Sequence, residues 1–354
     1  LAFTPWGGPE SFLNEPQGQC LFFAILITVL LIFLAELIQY WWGCRPFEPS
    51  DKVREIKHFL REKGLKYREL MRWPIFEGKM MTAGIMGIIA RFRYILITDA
   101  LMELLSLEEL KAVVAHEMGH AKYRHLLLYI FFFLGFMVLV LGLFNLEDPG
   151  LYILFLEYLL IRFSKTLSAH TFLVIYGLSV LAIILVYFRF VVGFFMRNFE
   201  RQADLFSAAT MGGPRPTISS LEKIALLSGK SRDLPSWHHF SIKERVDYLW
   251  RTLGEPRLAK RHHRFVATSF LIYLVLIASF GYLLNFSAVE QGLGHRIKTA
   301  AVKKQLVKDP NNVKFLLALA GAYHEMGKLE EAIEAYEKII LLDRSQAVAL
   351  NNLA

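Results

Sequence analysis

The fold is decided by residues 107–145, LEELKAVVAHEMGHAKYRHLLLYIFFFLGFMVLVLGLFN, in which a segment with helical spacing of apolar residues runs directly into a long apolar run. The first part contains the pattern His-Glu-x-x-His between His116 and His120. Two histidines four residues apart lie on one face of a helix, so their ring nitrogens can converge on one metal ion. Glu117 lies between them and can reach a water molecule beside that ion. We therefore predict a metal-binding helix at the edge of a membrane span.

A second segment, Arg197–Asp204, supplies two acids in helical spacing. Glu200 and Asp204 are four residues apart and lie on one helix face, and Glu200 is a candidate third metal ligand. Two histidines and one carboxylate are typical of catalytic zinc, which lowers the pKa of a bound water to about 7 and polarises a carbonyl group. His-Glu-x-x-His alone is short enough to arise by chance. The acid pair is therefore what favours a zinc-dependent peptidase over an ordinary surface helix.

The composition indicates a membrane protein, because 55% of the 354 residues are hydrophobic and 14% are aromatic. A cleaved signal peptide is a poor explanation of the first apolar run, since residues 1–19 contain no Lys or Arg and the run is too long. Four runs are long enough to cross a bilayer: Cys20–Trp42, Leu126–Asn145, Thr171–Met196 and Phe265–Phe286.

The loop of residues 146–170 contains a shorter apolar patch interrupted by Glu157 and Arg162, which favours a re-entrant or interfacial segment over a fifth span. For Glu200 to reach the same ion as the two histidines, the chain must cross the membrane an even number of times between them. Two crossings satisfy this condition and three do not. We expect the loop to return to the side from which it came.

The distribution of Lys and Arg predicts the orientation. Residues 45–125 carry 15 of them and residues 197–264 carry 13, whereas residues 1–19 carry none and residues 146–170 carry two. Both halves of the site should therefore face the cytoplasm, with the chain after Phe286 on the outer side. The net charge of +8 is explained by this arrangement, so no nucleic-acid partner is expected.

The residues before the motif predict a small sheet, with Tyr94–Thr98 as one strand. No Gly or Pro lies between His120 and Leu126, so one continuous helix is expected to carry the site about 9 Å above the membrane edge. The predicted fold class is a mainly α membrane protein with about four transmembrane helices, a small α+β metallopeptidase domain and a C-terminal α-helical tetratricopeptide (TPR) repeat. The expected order is an N-terminal tail at 1–19, a transmembrane helix at 20–43, the first half of the peptidase domain at 44–125, a transmembrane hairpin with an outer loop at 126–196, the second half at 197–264, a transmembrane helix at 265–286 and the TPR-like region at 287–354.

The TPR prediction rests on residues 313–346, where leucine, small and aromatic residues recur at tetratricopeptide spacings. These residues are Leu316, Leu319, Ala320, Tyr323, Gly327, Ala332 and Tyr336. One such repeat cannot bury its own face, so further repeats or a protein partner are expected. A simple helical hairpin is the alternative.

These motifs together resemble the HtpX-like and CAAX-prenyl-protease family of membrane zinc endopeptidases, in the gluzincin group, from about residue 50 to residue 250. The matching parts occur in family order: Thr82-Ala83 with Gly87, Ile97 to Leu101, His116 to His120, Glu200 to Asp204, and His239 with Arg245. The family usually has Asn in place of Thr82, and it often has His-Pro in place of His239-Phe240.

The resemblance implies that one Zn²⁺ is bound by His116, His120 and Glu200. It also implies that Glu117 is the general base and proton shuttle. Asp204 would accept a hydrogen bond from a ligand imidazole and so fix its orientation. A solvated acid on the helix surface is the alternative for Asp204.

The resemblance assigns two further roles. His239 or Arg245 would stabilise the oxyanion, a contribution of about 3 kcal/mol in comparable sites, although both lie in a basic, surface-like segment. Substrate would add as a strand to an edge near residues 81–86, for which a buried structural strand is the alternative. The edge residues are Thr82, Ala83, Gly84 and Ile85. His125 is expected to be an interfacial side chain rather than a ligand.

We therefore expect an integral-membrane zinc metalloendopeptidase that cleaves membrane-associated or misfolded proteins at the cytoplasmic interface, in the inner membrane if the source is bacterial. Three alternatives stay open: a site-two-type intramembrane protease, a CAAX-type processing protease, and a non-catalytic zinc-bound TPR scaffold. Charged residues around the motif argue against an intramembrane site. Four spans and a repeat region favour quality control over CAAX processing, and the complete set of ligands and base argues against the scaffold.

Overall fold

The computed structural model describes residues 16–75, 80–143, 169–229, 231–255, 257–286, 295, 299–300 and 302–353. The chain divides into two compact units. The first contains Leu1–Phe131 and Arg189–Ala267, and the second contains Phe132–Phe188 and Thr268–Ala354. The predicted site residues all lie in the first unit.

The described residues are mostly helical. In chain order the elements are α1 (Pro16–Trp41), β1 (Arg45–Pro46), α2 (Asp51–Glu62), β2 (Glu69–Arg72), β3 (Ala83–Met86), β4 (Tyr94–Ile97), α3 (Asp99–Leu104), α4 (Leu107–Lys122), α5 (His125–Leu143), α6 (Ala169–Val186), α7 (Gly193–Thr210), α8 (Arg215–Leu227), α9 (Ile242–Gly254), α10 (Leu258–Phe286), α11 (Val313–Glu325), α12 (Leu329–Leu342) and α13 (Ala347–Leu353). A π-helical segment, Tyr187–Val192, joins α6 to α7.

The small sheet predicted from the sequence is present and has the order β1-β2-β4-β3. β4 lies in the centre, parallel to β2 and antiparallel to β3. All four side chains of β4 are buried, as expected for a central strand of large apolar residues. β3 pairs with β4 alone among the described residues, so its other edge is open.

The sheet and helices α2 and α4 share one hydrophobic core in the first unit. Its fully buried residues include Ile56 and Leu60 from α2, Ile95 from β4, and Leu110 and Val114 from α4. Burial of each large aliphatic side chain contributes roughly 1.5–3 kcal/mol. This core fixes the sheet edge relative to the helix that carries His116 to His120.

Helix α4 begins after Ser106 with a capped first turn. The Ser106 hydroxyl accepts a hydrogen bond from the Glu109 amide, and the Glu109 carboxylate accepts one from the Ser106 amide, so a capping box is formed. Helix α9 begins in the same way at Ser241 and Glu244. Each box satisfies two amide groups that a helix start leaves without partners.

The expected continuous helix from the motif into the next span is wrong. Helix α4 ends at Lys122 and α5 begins at His125, with a 48° bend between them. Arg124 adopts a left-handed backbone conformation with φ 56°. Because this turn contains neither Gly nor Pro, the sequence has no local signal for it, and the estimated height of 9 Å above the membrane no longer applies.

The described residues contain two helical stretches that are long and apolar enough to cross a membrane. The first, Val174–Thr210, runs through α6, the π-helical segment and α7, and the second, Leu258–Leu283, lies in α10. Helices α4 and α5 form a third candidate if the bent pair is counted as one span. The chain is thus an integral membrane protein, whereas the count of four spans stays a prediction. The 26-residue helix α1 covers the first predicted span up to Trp41. Most of the predicted tail at 1–19 and of the loop at 146–170 lies outside the described residues.

The second unit contains a helical hairpin within the predicted TPR-like region. Helices α11 and α12 pack together and bury Leu316, Ala320, Tyr336 and Ile339, with Ala349 of α13 against them. The hairpin turns at Gly327, which has φ 68°. Its assignment as a tetratricopeptide repeat remains a prediction.

Candidate active site

Three potential metal ligands meet in the first unit. The ligand atoms of His116, His120 and Glu200 all lie within 4.8 Å of one another. The two Nε2 atoms are 3.2 Å apart, and they lie 3.5 Å and 3.4 Å from the nearest carboxylate oxygens of Glu200. Ligands about 2.0–2.1 Å from a tetrahedral zinc ion are separated by roughly 3.4 Å. The donor set and its spacing therefore fit zinc.

Helices α4 and α7 bring these ligands together. The sequence places the histidines on one face of α4, and α7 crosses this helix next to Gly119. The Ser207 hydroxyl on α7 donates a hydrogen bond to the Ala112 carbonyl on α4, at 2.7 Å. The Ser207 hydroxyl also contacts the Thr217 hydroxyl at 2.8 Å, so a buried polar link connects α7 to α4.

Asp204 lies one turn after Glu200 and contacts His116. The His116 ring donates from Nδ1 to the Asp204 carboxylate at 2.9 Å, which leaves Nε2 directed at Glu200. Arg245, on α9, donates two hydrogen bonds to the same carboxylate at 2.8 and 2.7 Å. Burial alone would raise the pKa of Asp204, but the charge of Arg245 and the hydrogen bonds lower it to about 2. The acid is therefore ionised and held by two partners.

Arg245 is almost completely buried, and its guanidinium is directed at Asp204. Burial opposes the charge of Arg245, but the neighbouring carboxylates of Asp204 and Glu200 raise its pKa. Its nearest approach to Glu200 is 3.7 Å. The geometry thus favours Arg245 as a support for Asp204 over a direct role toward substrate.

His239 lies beside the ligands and faces the cleft. Its Nδ1 is 2.9 Å from the Glu200 carboxylate, although the two groups are not aligned for a hydrogen bond. The side chain is 39% exposed, so it remains accessible to a bound molecule. Of the two residues considered for the oxyanion role, His239 has the more suitable position.

The segment that carries His239 is fixed to α7 by a residue for which the sequence analysis assigned no role. The Arg201 guanidinium lies 3.9 Å from the ring centre of Phe240 and 4.2 Å from that of Tyr248. Such cation–π contacts stabilise by about 0.5–2 kcal/mol each. Arg197 adds a hydrogen bond to the Trp237 carbonyl at 2.7 Å. No local sequence pattern indicates this role for Arg201, because its contacts join distant segments of the chain.

A cleft of about 760 Å³ runs past these residues and along β3. Glu117 lines this cleft together with the three potential metal ligands. Ala83, Gly84 and Ile85 belong to β3 and also line it, as does Thr82. The Thr82 backbone is already hydrogen-bonded to Thr98, so the free edge begins after it.

His125 is not the interfacial side chain that the sequence predicts. It is fully buried, and its ring contacts His120 at 2.9 Å and Gln202 at 3.0 Å. The left-handed turn at Arg124 redirects the backbone, so that His125 contacts His120 of the motif. Since that turn has no sequence signal, neither contact could be anticipated.

Comparisons with known proteins show which family and which relatives the chain resembles. The family model for Peptidase family M48 matches residues 51–268. A Thermoplasma acidophilum protein named Protease HtpX homolog is 28% identical over 228 residues, which are 59% of this chain and 65% of that protein. The crystal structure of S. mikatae Ste24p is 17% identical with a TM-score of 0.49, and the match covers 68% of this chain and 59% of the other. The chain therefore spans less than two thirds of either relative.

The family match includes both helices that supply the potential metal ligands, and it extends over more than half of the chain. On this match, the chain belongs to peptidase family M48.

Proposed function

We propose that this chain is an integral-membrane zinc metalloendopeptidase that uses His116, His120 and Glu200 as ligands. The observation that carries the proposal is the convergence of three ligand atoms at tetrahedral spacing in a cleft that Glu117 also lines. Zinc at these residues would supply a Lewis acid for the substrate carbonyl and make a water molecule acidic.

The residues around the ligands have separable tasks in peptide hydrolysis. Glu117 removes a proton from the attacking water and delivers it to the leaving amine nitrogen, as a general base and then a general acid. His239 donates a hydrogen bond to the carbonyl oxygen as that oxygen gains charge. Asp204, held by Arg245, keeps the His116 ring in one orientation.

Substrate would lie as an extended strand beside β3. The open edge of β3 and the ligand residues line the same cleft, so an added strand would carry its peptide bonds past Glu117. Main-chain hydrogen bonding of this kind tolerates many sequences. This favours membrane-associated or misfolded proteins as the substrate class over one short motif.

The site is proposed to lie at the cytoplasmic interface, with the TPR-like hairpin on the outer side as a docking region for a protein partner. The Lys and Arg asymmetry supports the orientation. Around the motif, α4 carries charged residues that include Glu108 and Lys122, which argues against a site within the bilayer. The hairpin leaves apolar side chains such as Leu329, Ile333 and Leu341 exposed.

Two alternatives make different predictions. A CAAX-type processing protease would cleave prenylated C-terminal peptides and leave unstructured proteins intact. A non-catalytic scaffold would cleave neither. The presence of an acid at the general-base position favours an enzyme, since a scaffold has no need of Glu117.

The test is digestion of casein by the purified, zinc-loaded chain in detergent, with Glu117→Gln as the variant and Glu108→Gln as the control on the same helix. Glu108 is largely exposed, and its side chain lies outside the cleft. We expect cleavage by the wild type and the control, loss of cleavage in Glu117→Gln, and inhibition by a chelator. Cleavage that survives in Glu117→Gln would refute the proposed base. Bound zinc without cleavage of casein or a prenylated peptide would support the scaffold.

A further inference from the structure

A chain of hydrogen bonds leads away from His120 on the side opposite Glu200. The His120 Nδ1 atom lies 2.9 Å from Nδ1 of His125. The other ring nitrogen of His125, Nε2, lies 3.0 Å from the side-chain oxygen of Gln202. His125 and Gln202 are buried, so each polar group depends on these partners rather than on water.

The series of hydrogen bonds continues through two more side chains. The Gln202 amide nitrogen lies 2.9 Å from Nδ1 of His263, and Nε2 of His263 lies 3.0 Å from the Tyr123 hydroxyl. The five residues come from α4 and its C-terminal cap, α5, α7 and α10. This network therefore links four helices within the first unit.

With the Gln202 oxygen facing His125, as it does here, and with neutral imidazole rings, the network has one direction of hydrogen bonding. The Gln202 oxygen can only accept, so His125 carries its hydrogen on Nε2 and presents a lone pair at Nδ1. His120 must then donate from Nδ1, which leaves the lone pair of its Nε2 directed at Glu200. At the far end, the Gln202 amide donates to His263, which in turn donates to the Tyr123 hydroxyl.

The ring of His125 is also fixed in orientation. It stacks on Phe199 with the ring centres 4.3 Å apart and an angle of 8°. Tyr123 lies over it at 5.9 Å. The left-handed backbone of Arg124, which is unusual for a residue with a side chain, places His125 there.

We propose that His125 and Gln202 are positioning residues for the metal site: they hold the hydrogen of His120 on Nδ1 and keep Nε2 free for the metal. The proposal rests on the proposed function, in which His120 is a ligand. The two ligand histidines then have different hydrogen-bond partners, a carboxylate for His116 and a neutral imidazole for His120. Partners of this kind change metal affinity by about 10–100-fold when they are removed.

The test is the zinc dissociation constant of the full-length chain in detergent, measured by competition with a chromophoric chelator. His125→Phe retains the aromatic stack on Phe199 but cannot accept the hydrogen bond from His120. We expect zinc binding that is weaker by about 10–100-fold. His262→Phe is the matched control, because His262 is also buried but donates to the Asn198 carbonyl instead of contacting a ligand.

Two variants of Gln202 test the direction of the network without altering His125. Gln202→Met removes the acceptor and should weaken zinc binding in the same direction. Gln202→Glu keeps an oxygen that accepts from His125 and should retain nearly wild-type affinity. Cobalt substitution adds a spectroscopic readout, since the visible bands of bound Co²⁺ should shift in His125→Phe and Gln202→Met and not in His262→Phe.

The outcomes separate this inference from the function on which it rests. Wild-type zinc affinity in His125→Phe and Gln202→Met would overturn the positioning role and leave the metallopeptidase proposal standing. Equal weakening in His125→Phe and His262→Phe would also overturn it, because the effect would then come from packing. A wild-type chain that binds no zinc would instead overturn the proposed function itself.

Discussion

Gly119 lies against Ala203, and a Cβ atom at Gly119 would stand 2.9 Å from the Ala203 Cα and 3.3 Å from the Cβ of Phe206. The glycine between the two motif histidines therefore allows α4 and α7 to approach closely enough for Glu200 to meet both rings. A larger residue would push the ligand-bearing helices apart.

Gly119→Ala should destabilise the chain by about 1–3 kcal/mol, because the added methyl group meets backbone as well as side-chain atoms. Zinc affinity should fall in the same variant. Chemical denaturation in detergent and chelator competition measure the two effects. Gly321→Ala in α11 is the control, since nothing lies within 4 Å of that position and alanine favours a helix. Equal behaviour of the two variants would contradict the close approach.

Arg245→Met should destabilise the zinc-free chain by about 3–5 kcal/mol, since the buried Asp204 carboxylate loses the guanidinium charge and its two hydrogen bonds and keeps only the hydrogen bond from His116. The double variant with Asp204→Asn should recover part of this loss, because the buried negative charge is gone. Denaturation curves of the wild type, both single variants and the double variant measure the coupling. A loss of activity in Arg245→Met with unchanged stability would indicate a direct role toward substrate instead.

Acid should weaken the connection between α4 and α8. Burial alone would raise the pKa of Glu109, but hydrogen bonds from the Ser106 amide, the Ser219 hydroxyl and Lys223 lower it to about 2. A carboxyl whose pKa is lowered on folding contributes stability above its unfolded pKa near 4.5, and that contribution is lost as the pH falls toward 2.

We expect the zinc-free wild type to exceed Glu109→Gln in Tm by about 2–4 °C at pH 6, which corresponds to roughly 1 kcal/mol for a partly exposed group. The difference should shrink between pH 4.5 and pH 2. Thermal melts over this range are the measurement. Glu108→Gln serves as the control, because Glu108 is in the same first turn but is mostly exposed. A difference that is constant with pH would contradict the assigned pairing.

The orientation predicts different labelling of two exposed positions in a background with Cys20 and Cys44 replaced by Ser. Val307→Cys should react with a membrane-impermeant maleimide in intact cells, whereas Leu226→Cys should react only after permeabilisation. Both side chains are highly exposed, at 81% and 80%. The reverse pattern would overturn the orientation.

The local parts of the site could be predicted because they depend on spacing within single helices. His116 and His120 share a face of α4, Glu200 and Asp204 share a face of α7, and the capping box at Ser106 follows from two residues. The central strand at Tyr94–Ile97 could also be predicted, from its run of apolar residues.

The features of the site that the sequence did not predict depend on contacts between distant segments. The turn at Arg124 has no Gly or Pro, and it determines both the bend after α4 and the burial of His125. Arg245 and Asp204 are 41 residues apart, so their pairing could not be seen in a sequence that equally allowed Arg245 to face substrate. The cation–π contacts of Arg201 with Phe240 and Tyr248 arise in the same way.

The most direct test of the central claim is the zinc content of the purified chain after refilling and removal of loosely bound metal, compared between wild type, Glu117→Gln and Glu200→Gln. We predict one zinc per chain in the wild type and in Glu117→Gln, because the base is not a ligand, and a content well below one in Glu200→Gln. Full zinc retention in Glu200→Gln, or a wild-type chain that cannot be filled, would contradict a metal site built from His116, His120 and Glu200.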